Sequence, residues 1–334
     1  MVECESLVTA LDPQPKQHHY VQRAYLEGFV DPDYERRGQS YLWTYLPRKS
    51  PFRQRPDRIA KRNYYYCFEQ ENRRSFDFEH MLQALEDVSL PVLRKFRGRN
   101  FNIDAEERLT FAGYVALSYT RVPTFESLVN RFALLDMAFK VEKFASDPEK
   151  MKLLAREESD HTGKEVTPEE MRSRLNGGNA FLTQTNRGWS LEQMVRVMML
   201  LQSIIFDMRW VFLLAGDGDP GFLTSDNPVS LFGSPAVDSP GEAGFLSSPD
   251  TYFTFPVSRE VCLLAKHLPG PARRVVRVSP VDVRHVNTGT ISRADTQLYA
   301  PFQSPKIQEL HNAAVVVRGT PKRVMVKKGR IVEE

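Results

Sequence analysis

Between Ser190 and Gly216 the period of the hydrophobic residues changes, and that change limits what the chain can fold into. Met194, Met198, Leu201, Ile205 and Met208 recur at intervals of three and four, which puts them on one face of an α-helix. From Trp210 the run WVFLLAG is continuously apolar and ends on glycine, the pattern of a buried β-strand. Arg196, Asp207 and Arg209 interrupt the segment, and each would be costly at a bilayer centre. The segment therefore predicts a buried helix feeding a buried strand, and no membrane partner is expected.

The same switch divides the chain. Upstream, Gln17 to Gly28 reads as an amphipathic helix and SYLWTYL, Ser40 to Leu46, as a strand. A basic loop follows, and then NYYYCF, read as extended. Phe78, Met81, Leu85, Val88, Val92 and Phe96 recur at helical spacing, with Pro91 placed to kink or interrupt them. Asp104 and Glu107 form a capping box, the Val122-Pro123 step breaks that helix, and another runs from Thr124 through Phe144. Thr167, Pro168 and Glu170 start a further helix that Gly177-Gly178 ends, and Ser190 with Gln193 opens the methionine-rich one.

Downstream, short β-type runs alternate with glycine, proline and aspartate. One more helix is expected over Val281 to Gln297, and AVVVRG and RVMVKKGRIV read as closing strands. This segregation predicts an α+β fold. Its N-terminal two-thirds would be mainly helical, and its C-terminal third a mostly antiparallel sheet packed on the helices. Residues 1–15 read as a tail and 16–334 as a single integrated domain, with any subdomain boundary near 210.

Hydrophobic residues make up 41% of the 334, enough for a core that needs no disulfide or metal to hold it. Cys4, Cys67 and Cys262 are scattered without zinc-like spacing. Together with an acidic start lacking a signal-like apolar region, they point to reduced thiols in a cytoplasmic protein. The net charge of +3 is unremarkable, but Pro47 to Arg62 holds seven Lys or Arg against one Asp, and PKRVMVKKGR adds five bases. Such patches attract phosphates, although a solvated loop and a protected edge strand would read the same.

No phosphate-binding glycine loop, dinucleotide fingerprint, HExxH or GxSxG is present, so no nucleotide cofactor is expected and any chemistry must come from dispersed residues. On a helix, His19 and Arg23 would share one side, and histidine shuttles protons or ligates metals near neutral pH. Glu79 and Glu86, two turns apart, would share a helical face and suit hard-oxygen metal ligation, or simply solvation. Arg121 closes a helix, where a cation favours the dipole or clamps a phosphate or carboxylate. Asp226 and Asn227 in GFLTSDNPVS follow a strand, where they would cap a turn or present functional groups. Asn287 lies in a valine-rich helix and needs partners if buried.

In order, QHHYVQRAYLEGF, NYYYCF, FEHMLQALED, SYTRVPTFE, RWVFLLAGDGDPGFLTSDNPV, FPVS and HVNTGTISRADTQLYA resemble the bacterial and fungal family catalogued as domain of unknown function 4238. The likeness spans about residues 16–303. It implies no activity, but it singles out His19, Tyr20, Tyr25, Glu79, Glu86, Arg121, Asp226, Asn227 and Asn287. This chain departs at Gln22-Arg23, where the pattern has Pro followed by Arg or Gln.

Two functions follow as expectations. In the first, His19, Glu79, Arg121, Asp226 and Asn227 are catalytic. His19, Glu79, Glu86 and Asp226 hold a divalent metal (Mg, Mn, or Zn if His18 joins), and Tyr20, Arg23, Tyr25, Arg53, Arg55 and Asn287 bind substrate. The reaction would be hydrolysis of a phosphate-bearing substrate, a nuclease being one case. In the second, the polar cluster is structural, and the protein is a non-catalytic binder or sensor of nucleic acid or protein, using bases such as Arg53, Arg55 and Arg58.

Overall fold

Helix and sheet interleave along the chain in the computed structural model, which describes residues 16–70, 73–176, 187–216, 221–233, 248–267, 274–318, 324–327 and 330–333. The first 75 residues carry strands β1 (Gln17–His19), β2 (Leu42–Tyr45), β3 (Phe52–Gln54), β4 (Lys61–Asn63), β5 (Phe68–Gln70) and β6 (Arg73–Ser75) around two short helices, α1 (Arg23–Leu26) and α2 (Pro32–Glu35). A helical block follows: α3 (Asp77–Arg97), α4 (Ala105–Thr120), α5 (Pro123–Ala145), α6 (Pro148–Thr162), α7 (Pro168–Asn176) and α8 (Arg187–Asp207). Then come β7 (Arg209–Leu214), β8 (Thr224–Ser225), β9 (Ser230–Phe232), β10 (Tyr252–Pro256), β11 (Val261–Lys266) and β12 (Val275–Arg277). Helix α9 (Pro280–Arg293), β13 (Leu298–Ala300), α10 (Pro305–Arg318) and the hairpin β14 (Val324–Lys327)–β15 (Arg330–Glu333) close the chain.

The fold is mixed α and β, but its strands are not confined to the last third. A five-stranded sheet runs β12-β7-β11-β10-β9, antiparallel except for the parallel β12–β7 pair. A second sheet, β3-β2-β13-β8, joins residues 42–54 to residues 224–300. The main core lies between α3, α4, α8 and the inner face of the first sheet, where Phe96, Phe111, Tyr114, Trp210, Phe212 and Phe255 meet ring to ring. A smaller cluster of Tyr45, Leu223, Ile291, Leu298 and Ile307 joins the second sheet to α9 and α10.

Two of the caps read from sequence are in place. Asp104 and Glu107 form the box that opens α4, and Thr167 and Glu170 bond reciprocally at α7. Five expectations change. Residues 17–28 are not one helix: Gln17–His19 pairs antiparallel with Lys61–Asn63, and helix begins only at Arg23. Pairing some forty residues away overrides local periodicity, so His19 and Arg23 do not share a helical face. NYYYCF turns at Tyr64–Tyr66, with Tyr64 at positive φ, rather than running extended. AVVVRG is not a strand; its valines end helix α10, where Ile307 and Ala314 pack against the second cluster at helical spacing. Pro91 does not interrupt α3, and α8 begins at Arg187, ahead of Ser190, whose hydroxyl reaches Asn130 instead. Gly177-Gly178 and residues 1–15 lie outside the described residues. Among the described residues no helix is long and apolar enough to cross a membrane.

One glycine is held by geometry. Gly221 has φ +85°, and a Cβ there would sit 2.4 Å from the Arg259 carbonyl oxygen. Gly221→Ala is expected to lower stability by about 2 kcal/mol or more, since it adds both an unfavourable φ and a clash with backbone. Urea unfolding would measure it, and an unchanged midpoint would count against this backbone geometry.

Candidate functional site

The polar residues singled out by sequence fall into two groups, one on each side of Tyr20. The first gathers where β1, the Tyr64–Tyr66 turn, α3 and the α4–α5 break meet. Arg121 caps the C-terminus of α4 and is nearly buried. Its guanidinium donates to Glu86 Oε1, to the His19 carbonyl at 2.5 Å and to the Tyr66 hydroxyl at 3.1 Å, and it lies over the Tyr66 ring. Gln22 donates to the other Glu86 oxygen at 3.1 Å and accepts from Tyr114 at 2.6 Å. Gln22 thus closes the network. Arg121 clamps a carboxylate, as its chemistry suggested, but the carboxylate is the protein's own.

His18 and His19 point to opposite sides of β1, as neighbours on a strand must. His18 is fully buried and stacks on Tyr66, with Glu79 Oε2 3.3 Å from Nδ1. His19 is half-buried and its Nδ1 has no hydrogen-bond partner among the described residues. Burial, then the charges of Lys61 and Arg121, push its imidazole down to about 4 against an opposing hydrogen bond with the Ile59 backbone. The ring is therefore neutral at pH 7, with an open acceptor inside a ring of cations. Arg62 stacks over Tyr20 and Tyr65, and Arg187 stacks over Tyr65 and pairs with Glu126. Arg23 bonds Glu27 at an exposed position. Lys61 and Arg62 have no ion pair among the described residues.

The second group ties the second sheet together. Asp226 is buried, with Oδ1 accepting from Asp295 N at 2.8 Å. Its Oδ2 accepts from Thr296 N at 2.7 Å, Gln297 N at 2.8 Å and the Thr296 hydroxyl at 3.0 Å. Burial pushes its carboxyl up to about 6, against the backbone donors that hold it down. Asn287 bonds Gly221 O and Leu223 N, both at 2.9 Å, fastening α9 to the chain entering β8. Asn227 donates to Arg293 O at 3.1 Å. Tyr25 bonds Thr224 and the Pro256 carbonyl, both at 2.7 Å, from the centre of the core. Tyr20 hydrogen-bonds Tyr299, and burial, aided by Asp226, pushes its hydroxyl up.

The four groups assigned to a metal are therefore not gathered. Glu86 is committed to Arg121 and Gln22, Asp226 to the 295–297 loop, and Glu79 faces His18 rather than His19. Among the described residues no three His, Cys, Asp or Glu side chains are placed to hold a metal ion. The basic loop is dispersed as well. Arg53 stacks on Tyr34 and Trp43, while Arg55 and Arg58 share Asp57. The side chains of the C-terminal basic run lie outside the described residues.

Sequence reasoning passed over Tyr66 and Arg97, took His18 only as an added zinc ligand, and noted Gln22 only as a departure from a pattern. Arg97 donates to the carbonyls of Ala24, Tyr25 and Val257, fixing α1 against α3 and the sheet. A cationic residue in the last turn of a helix was the visible signal, but such residues are usually solvated. A family model described as "Protein of unknown function (DUF4238)" matches residues 17–302. No curated protein and no solved structure matches the chain.

Proposed function

The chain belongs to the DUF4238 family, and from the geometry of its first polar group we propose that it binds a phosphate-bearing ligand, with nucleic acid as the candidate class, beside His19. One observation carries the reading: a neutral imidazole with an open Nδ1, half-buried among Lys61, Arg121 and Arg23. Arg121 and Arg23 already pair with Glu86 and Glu27, so Lys61 is the cation an anion would neutralise, with Arg62 next to it on β4. A cytoplasmic setting fits the buried free thiols of Cys67 and Cys262.

Phosphodiester hydrolysis at the same place is the second reading, favoured by the neutral state of His19. A bound phosphate would offset the cations that depress the ring and move it toward a pH where it accepts a proton from water. The four-ligand metal centre is not part of this reading, because two of its carboxylates are occupied by donors of the fold.

The test follows the imidazole. Adding inorganic phosphate or a short single-stranded oligonucleotide is expected to raise the His19 titration midpoint by about one unit, read by NMR. Replacing Lys61 and Arg62 by Ala should weaken oligonucleotide binding and flatten its salt dependence. An imidazole that titrates identically with and without both anions would sink the proposal. Nuclease activity lost in His19→Gln but kept in Arg53→Ala would support hydrolysis, whereas binding without turnover would leave the protein a binder.

A further inference from the structure

On the other side of β1 from His19 lies a second arrangement, independent of phosphate binding. His18 sits between a thiol and a carboxylate: Cys67 Sγ is 4.0 Å from Nε2, and Glu79 Oε2 is 3.3 Å from Nδ1. The three come from different elements, β1, the turn leading into β5, and the first turn of α3, so the fold rather than local sequence brings them together. The imidazole is fully buried and held flat by Tyr66 at 5.9 Å, with Phe76 against its edge.

We infer that Cys67, His18 and Glu79 form a thiol–imidazole–carboxylate relay that makes Cys67 a nucleophile toward the acyl carbon of an ester, thioester or amide. The placement distinguishes a relay from a metal site. Thiol and carboxylate lie at opposite nitrogens of one ring instead of converging on a point, and among the described residues no metal-holding group of three exists. A carboxylate oxygen facing Nδ1 matches a ring that carries a proton there, which leaves Nε2 to take the thiol proton. Glu79 Oε2 is buried without a hydrogen bond, and His18 Nδ1 accepts the Tyr66 N–H at 3.2 Å. The relay therefore requires the other tautomer, in which the ring gives up that bond and an Nδ1 proton turns to Glu79.

The reaction balances without a co-reactant other than water. The Cys67 proton passes to His18 Nε2 and the Sγ–carbon bond forms. The bond from that carbon to the leaving oxygen, sulfur or nitrogen then breaks, and the leaving group takes the proton from Nε2. Water attacks the thioester, giving its proton to Nε2, and the sulfur departs and recovers that proton. Glu79 is the positioning residue. Cys67 is 7% exposed, while Cys262 is at 0% and burial pushes its thiol up, so Cys262 serves as the internal control.

The test uses the full chain and its Cys67→Ser, Glu79→Gln and His18→Gln variants. Thiolate absorbance is followed against pH as the difference from Cys67→Ser, which needs no reagent access. Cys67 is expected to ionise at least about one unit below the ordinary thiol value of ~8.5. Glu79→Gln, which keeps the carboxylate's shape, should move the midpoint back up while thermal unfolding stays unchanged. p-Nitrophenyl acetate should acylate Cys67, located by peptide mass, and leave Cys262 untouched. A midpoint at or above the ordinary value, or one that Glu79→Gln does not move, would overturn the relay even if His18→Gln fails to fold. So would an ionised Cys67 that the ester does not acylate.

Discussion

Arg121→Ala is expected to destabilise the protein by about 3–5 kcal/mol, the usual loss when one partner of a buried ion pair is removed. Arg121 is 5% exposed and Glu86 15%, so solvent screening relieves little. The truncation leaves the His19 carbonyl without this donor and the buried Glu86 charge without its counter-ion, with only Gln22 still bonding it. The bond from the Tyr66 hydroxyl to the residue-121 carbonyl, at 2.9 Å, is to backbone and survives the substitution, so the loss reports on the guanidinium alone. Denaturant unfolding of Arg121→Ala, Glu86→Ala and the double variant would measure the coupling. The double variant should cost clearly less than the sum of the singles, because neither leaves the other's charge buried alone. Additive effects, or a loss under about 1 kcal/mol for Arg121→Ala, would mean the pair behaves like an exposed one. The outcome bears on function as well. If the network is this costly to break, Glu86 and Arg121 are frame for the neighbouring histidines, and substrate chemistry must be sought beside them.

What the sequence made legible was whatever local geometry determines. Asp104-Glu107 and Thr167-Glu170 are caps wherever a helix follows, because the hydrogen bonds close within four residues. The helix-to-strand switch at Arg209 was legible for the same reason: a period is a local property. The strand at Gln17–His19 was not, since its burial pattern comes from Lys61–Asn63 and its buried histidine from Glu79 and Tyr66. The valines of α10 misled because their helical identity comes from the cluster that Ile307 and Ala314 join. The site was half legible. His19, Glu86 and Arg121 do meet in one region, with Glu79 across β1 beside His18, while Asp226, Asn227 and Asn287 brace the second sheet. Carboxylates suited to a metal are equally suited to a guanidinium or to three backbone amides, and composition does not choose between them. Gln22 and Cys67 carried no signal of their own; their roles arise only from what stands opposite.

Asp226→Ala should cost about 3 kcal/mol or more at pH 4, because it leaves three backbone N–H groups and the Thr296 hydroxyl without their acceptor in a buried site. The pH dependence gives a sharper test. Burial raises the folded-state carboxyl to about 6, from 3.8 in the unfolded chain. The folded protein therefore holds this proton more tightly than the unfolded one does. Its contribution is fully present below pH 4 and is lost as pH rises through about 6, a decline worth about 3 kcal/mol. The alanine variant lacks the group, so the stability gap between wild type and variant should narrow by that amount between pH 4 and 7. Urea unfolding at both pH values measures it, and other titrating groups cancel in the difference. A gap that widens with pH would show the four donors outweighing burial, with the carboxylate charged throughout. In either case the loop at residues 295–297 hangs on this one side chain. Its loss should loosen the α9–β13 connection, seen as faster amide exchange at Asp295, Thr296 and Gln297 than elsewhere in the second sheet.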